Sequence, residues 1–241
     1  MHYALAVTFA LFLWWFSTGA VLYVVGLPKR MHGWSMLALS AIALLALFGI
    51  ATSSSDVTTL GAYCAFTCAL AVWAWHEMSF LMGFVTGPRS IPCPPDSKGL
   101  QRFVFASLTL IYHELAILIT VGLVAAITAG APNQFALWTL LVLWAMRLSA
   151  KFNVFLGIPN LTEEFLPDGL AFLKSYFRKQ PMNLLFPISV TVSTVVAWVL
   201  TEQAVSASSG FAIVGFTMLA VLMALAVLEH WFLVLPLPVA D

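Results

Sequence analysis

The chain has 241 residues, 62% of them hydrophobic and only 8% charged, with ten basic side chains against ten acidic ones. Soluble domains carry about 25% charge, so this composition excludes an ordinary soluble enzyme and a disordered chain, and a zero net charge offers no field for nucleic acid. The mean hydropathy of +1.00 points instead to an integral membrane protein, whose length is best counted in spans of about 20 residues.

Seven apolar stretches are long enough to cross a bilayer: Tyr3–Val25, Trp34–Ala51, Thr58–Val85, Phe103–Thr128, Phe135–Leu156, Leu184–Thr201 and Gly210–Leu235. The first lacks a basic leader and its apolar run continues past any cleavage site, so it reads as a span and not as a signal peptide. The third holds Cys64 and Cys68 one helical turn apart, a spacing that does not reach disulfide geometry; both read as small buried hydrophobes. It closes on Gly83-Phe84-Val85-Thr86-Gly87, suited either to close helix approach or to a turn before Pro88. The fifth stretch is the least uniform, because it carries Arg147 and Lys151.

Between the fifth and sixth stretches lies the one sizeable polar segment, 157–182. Leu166, Leu170, Leu173 and Phe177 repeat there at helical spacing among Lys174, Arg178 and Lys179, and Pro181 stops the pattern. The expectation is a basic amphipathic helix in the membrane interface, with a docking face for a partner as the alternative. The expected fold is therefore all-α: one integral membrane domain over 1–241, with seven transmembrane helices plus this cytoplasmic interfacial helix. All ten basic residues fall on one side of such a bundle, and the loops Thr52–Val57, Ala129–Gln134 and Glu202–Ser209 hold none. The positive-inside bias then sets the N-terminus in the periplasm and the C-terminus in the cytoplasm.

Charge within a span costs about 2.5–3.5 kcal/mol on insertion scales, so the few such residues are informative. Three spans each carry a His–Glu dipeptide beside an aromatic residue: His76-Glu77 after Trp75, His113-Glu114 after Tyr112, and Glu229-His230 before Trp231. At 1.5 Å per residue, His76 and His113 lie roughly 16 and 20 Å along their helices from Gly87 and Leu100, and His230 roughly 8 Å from Leu235. All three fall toward the cytoplasmic side, where Glu163 and Glu164 would close the site from below. Imidazole and carboxylate suit iron, zinc or manganese, and imidazole also suits haem iron or the magnesium of a tetrapyrrole. Proton relay is a further use. The competing reading is internal ion pairing, each Glu neutralising Arg147, Lys151 or a protonated His. Adjacent helical residues point about 100° apart, which weakens a six-ligand cage. The metal set under test is His76, Glu77, His113, Glu114, Glu163, Glu164, Glu229 and His230. For a pigment, His76, His113 and His230 would be axial ligands, with Trp73 and Trp75 packed on the ring; ordinary helix packing is the other reading of the two tryptophans. The helical-bundle Glu-x-x-His pattern, HExxH, GxSxG and the P-loop are absent.

Long strings carry a family resemblance. Leu13-Trp14-Trp15-Phe16-Ser17-Thr18-Gly19, Trp75-His76-Glu77-Met78-Ser79-Phe80, Phe84-Val85-Thr86-Gly87-Pro88-Arg89, Tyr112-His113-Glu114-Leu115-Ala116, Met146-Arg147-Leu148-Ser149-Ala150-Lys151, Glu163-Glu164-Phe165-Leu166-Pro167 and Leu228-Glu229-His230-Trp231-Phe232 resemble the PuhE family of photosynthetic complex assembly proteins from purple and related phototrophic bacteria. The resemblance covers the chain from its first span to Pro236. It implies the inner or intracytoplasmic membrane and an accessory role toward the reaction-centre and antenna complex or its bacteriochlorophyll supply. Reaction-centre, assembly or pigment-biosynthesis proteins would be the partners. It implies no site residues. Two other classes stay open: a membrane metal-dependent oxidoreductase acting on a tetrapyrrole or quinone, and a proton-linked transporter.

Overall fold

A computed structural model describes residues 2–161 and 166–235. Among them the chain forms eight α-helices, one 3-10 helix and no strand: α1 His2–Val25, α2 Lys29–Ser53, α3 Thr59–Leu81, α4 Gly99–Leu108, α5 Ile111–Ile127, α6 Phe135–Leu156, the 3-10 helix Asp168–Tyr176, α7 Leu185–Ser206 and α8 Gly210–Phe232. Helices α1, α2, α6, α7 and α8 are long and apolar enough to cross a membrane, and α4 with α5 makes a sixth if that bent pair is one span. The all-α polytopic class expected from the sequence is what the chain adopts; its five or six apolar spans are fewer than the seven expected.

The difference lies in α3 and in α4–α5. Helix α3 is 23 residues long, yet its Trp73, Trp75, His76 and Glu77 keep it outside the apolar set. It sits at the centre, packed by α1, α2, α5, α6 and α8, with a stripe from Ala62 through Phe66, Ala69, Leu70 and Trp73 in the core. A helix wrapped by other helices does not face lipid, so polarity costs it little. Small side chains let its neighbours close in: a Cβ on Gly49 of α2 would lie 2.6 Å from Cys68 Sγ. Cys64 and Cys68 are free thiols.

The expected single helix over Phe103–Thr128 breaks at Thr109–Leu110, where α4 and α5 meet at 64°. The segment after α3 wedges into this break. The His113 amide donates to Thr86 O (3.0 Å), the Arg89 amide donates to Leu108 O (3.2 Å), and a Cβ on Gly87 would stand 2.2 Å from Leu108 O. Gly83 holds φ +80, so the two glycines build a turn and its backbone contact, not a helix–helix seam.

No α-helix forms over the described part of 157–182. The 3-10 helix there buries Leu170, Leu173 and Tyr176, a spacing of three that eclipses on one face of a three-residue turn. It docks on Phe80. Arg89 Nε donates to Tyr176 Oη (2.7 Å), Arg102 donates to Tyr176 O, and Ser175 Oγ accepts from the Cys93 amide (2.8 Å). The described basic segment therefore buries its apolar face against protein. Amphipathic spacing occurs instead in α4, which exposes Leu100, Phe103 and Val104 at i, i+3 and i+4.

Two asparagines tie the ends. Asn133 Nδ2 donates to Ser53 O, Asp56 O and Gly61 O, joining the α2–α3 and α5–α6 turns. At the other end, Asn183 caps α7 by accepting from the Leu185 and Phe186 amides and donates to Asn153 O and Gly157 O of α6.

Candidate functional site

Helix α6 presents Trp144, Arg147 and Lys151 at i, i+3 and i+7, one helical stripe. That stripe neutralises the two glutamates opposite it. Lys151 Nζ lies 2.6 Å from Glu114 Oε1 of α5, and Trp144 Nε1 donates to Glu114 Oε2 (3.1 Å). Arg147 Nη2 lies 2.9 Å from Glu77 Oε2 of α3. The ion pairing weighed from the sequence is present at both glutamates.

The histidines divide between two places. His76 and His113, each 1% exposed, face each other across α3 and α5 with ring centroids 6.3 Å apart. His76 Nε2 shares a hydrogen bond with the Thr120 hydroxyl (3.0 Å). Its Nδ1 and both nitrogens of His113 are buried without a hydrogen-bond partner. The pair is closely packed: Trp75 stands edge-on to His76 at 5.0 Å, and Phe80 lies 4.7 Å from His113. Trp75 itself is a strut to α2, its Nε1 donating to Ser40 Oγ (2.9 Å).

His230 is elsewhere and fully engaged. Its Nε2 shares a hydrogen bond with Ser149 Oγ (3.0 Å), and its Nδ1 is 2.9 Å from Ala226 O. It lines a cleft of about 320 Å³ between α1, α3, α6 and α8, together with Glu229, Glu77, Arg147, Trp73 and Trp14. Neither His76 nor His113 borders this cleft. Among the described residues, no group of three or more His, Cys, Asp or Glu side chains is placed to hold a metal ion. Glu163 and Glu164 lie outside the described residues.

Sequence reasoning found the charged members of both places and missed their neutral partners. Thr120 carries no motif, and Ser149 and Trp14 stand within the family strings without a role of their own. Trp144 had a signal, since its spacing from Arg147 and Lys151 places all three on one face.

Apolar helices that enclose compensated charge and leave an internal cleft define a polytopic helical membrane protein. Residues 1–241 match the model of a family described as "Protein of unknown function (DUF3623)", and the chain belongs to that family. A protein described as "Uncharacterized 30.4 kDa protein in puhA 5'region", from Rhodobacter capsulatus, is 40% identical over 232 residues, covering 95% of this chain and 85% of the relative. No solved structure matches.

Proposed function

We propose that the chain is a PuhE-type accessory protein of the bacterial inner or intracytoplasmic membrane, serving assembly of the photosynthetic reaction-centre and antenna complex or the supply of bacteriochlorophyll to it. One observation carries this: a relative 40% identical across 95% of the chain lies in the puhA 5' region, which agrees with the resemblance seen in the sequence strings. The bundle has seven spans in this reading, with α3 as the shielded central one and α4–α5 as one broken span. The end that gathers the basic side chains faces the cytoplasm, so the N-terminus is periplasmic. Deleting the gene in its host tests the role. The expected result is a lowered or altered reaction-centre and antenna absorbance, restored by the intact gene. Wild-type pigment and complex content would remove the proposal.

Of the residues that pointed to a metal or pigment, His76 and His113 retain free donors, whereas His230 is engaged on both nitrogens. The close packing of Trp75 and Phe80 about the pair fits a proton or one small ion and does not fit a tetrapyrrole ring. Metal analysis of the purified protein tests this. One equivalent of ion lost in His113→Ala supports it, and trace metal only in both proteins rejects ligation.

A further inference from the structure

The cleft between α1, α3, α6 and α8 has a use independent of the role above. Its walls are apolar: Trp14, Trp73, Leu70, Val142 and Leu222 among them. Its polar groups gather near one rim, because Glu77 precedes the end of α3 by four residues and Glu229 precedes the end of α8 by three. From Leu222 to Glu229 the α8 wall of the cleft runs roughly 10 Å at 1.5 Å per residue. Helices α1 and α6 both line the cleft yet do not pack closely on each other.

The free hydrogen-bonding capacity at the rim is mostly for acceptance. Glu77 gives Oε2 to Arg147, while its Oε1 is buried without a partner. Glu229 brings a second carboxylate, which the Trp14 side chain hydrogen-bonds and which has no ion pair of its own among the described residues. His230 offers nothing, with both ring nitrogens engaged. Two carboxylates against one guanidinium disfavour an anionic headgroup, and the mainly apolar walls disfavour a strongly hydrated cation. A volume of about 320 Å³ is at the low end of small-molecule sites, enough for one ring and not for a macrocycle.

We propose that this cleft binds a quinol-class molecule, a single lipid-borne ring whose hydroxyls donate to Glu77 and Glu229 and whose faces pack on Trp14 and Trp73. A site with a buried unfilled acceptor, Glu77 Oε1, selects the reduced, hydroxyl-bearing form over the carbonyl form. The test uses the full chain in phosphatidylcholine nanodiscs, titrated with decylubiquinol and with decylubiquinone under matched conditions, and read by tryptophan quenching and by extraction of bound ligand. The quinol is expected to bind about tenfold tighter or more than the quinone, on the cost of leaving acceptors unpaired. Glu229→Gln should shrink that preference while keeping ring binding. Ala226→Phe and Ala150→Phe, filling the cleft from opposite walls, should abolish binding of both forms. Circular dichroism and monodispersity show that each variant is folded, and two walls guard against one that is not. Equal affinity for the two forms overturns the proposal, as does binding untouched by both filling variants or a bound phospholipid that decylubiquinol does not displace. A failed titration leaves the gene-deletion phenotype unaffected, so the two readings fail separately.

Discussion

Replacing Glu114 by Ala strands a cation inside the bundle. Lys151 and Glu114 meet at 2.6 Å with side-chain exposures of 19% and 11%, so solvent screens the pair little. Removing one partner of a buried pair costs about 3–5 kcal/mol, because the other charge stays desolvated. In a domain of this size each kcal/mol lowers the midpoint by about 2–4 °C, which puts Glu114→Ala about 6–20 °C below wild type. Trp144 Nε1 also loses its acceptor, which pushes toward the larger figure. The double variant Glu114→Leu with Lys151→Met removes both charges and keeps the volume. It should regain most of the loss, since apolar replacements of buried pairs are often near neutral. The assay is a thermal scan of the purified protein in detergent, followed by intrinsic tryptophan fluorescence. Equal midpoints for the single and the double variant would show that no buried charge is left behind, and the account of α6 as the neutralising helix would fall.

The second ion pair should be weaker: the Arg147 side chain is 43% exposed, so Glu77→Gln should lower the midpoint by only about 1–4 °C, the effect of a surface-like pair of up to about 1 kcal/mol, in the same scan. Gly215→Ala would place a Cβ 2.0 Å from the Phe135 ring, which Phe211 and Phe216 hold at 5.0 and 5.3 Å; overpacking of about 1–3 kcal/mol should lower the midpoint measurably, and an unchanged one would mean the ring moves freely. Gly87→Ala should drive the 86–89 segment out of the α4–α5 break and speed thiol labelling of Cys93, and unchanged labelling would count against the wedge. The Thr58 hydroxyl and amide hold the Asp56 carboxyl below its ordinary value. A depressed carboxylate stabilises above its ordinary value and loses that contribution as pH falls through the folded one, so the amide protection factor at the start of α3 should drop only below about pH 4, and a drop near neutrality would contradict this.

How much of this was legible follows from where the cause of each feature lies. Helices α1, α2, α6, α7 and α8 follow from their own apolar runs, though α2 starts five residues before the expected Trp34 and α7 ends five after the expected Thr201. The break at Thr109–Leu110 could not be read locally, because no Pro or Gly stands between Leu100 and Val121. Its cause is Thr86 and Gly87, more than twenty residues earlier, which take over the backbone contacts there. The 3-10 helix was half legible. Leu166, Leu170, Leu173 and Phe177 stand together in one apolar cluster as the spacing expects, but Tyr176, buried at a spacing of three from Leu173, belongs to a 3-10 turn that a helical period does not give. That α3 lies at the centre was legible in its polarity once burial by protein is allowed as an alternative to lipid.

The division of the candidate site follows from helix geometry acting on each dipeptide. Neighbouring residues on a helix point about 100° apart, so one His–Glu pair addresses two neighbours at once. In α3, His76 turns to Thr120 and His113 of α5, and Glu77 turns to Arg147 of α6 and the cleft. In α5, His113 faces α3, and Glu114 faces α6. In α8, His230 binds Ser149 of α6, and Glu229 lines the cleft beside Trp14. Three dipeptides therefore make two polar places on different faces of α3, not one six-ligand cage. The placing of charge separates them further. Lys151 and Arg147 neutralise Glu114 and Glu77, which leaves the imidazole pair with nitrogen donors alone, while the cleft keeps the excess carboxylate. A ligand that needs nitrogen donors and one that needs acceptors would thus be held by different faces of the same helix.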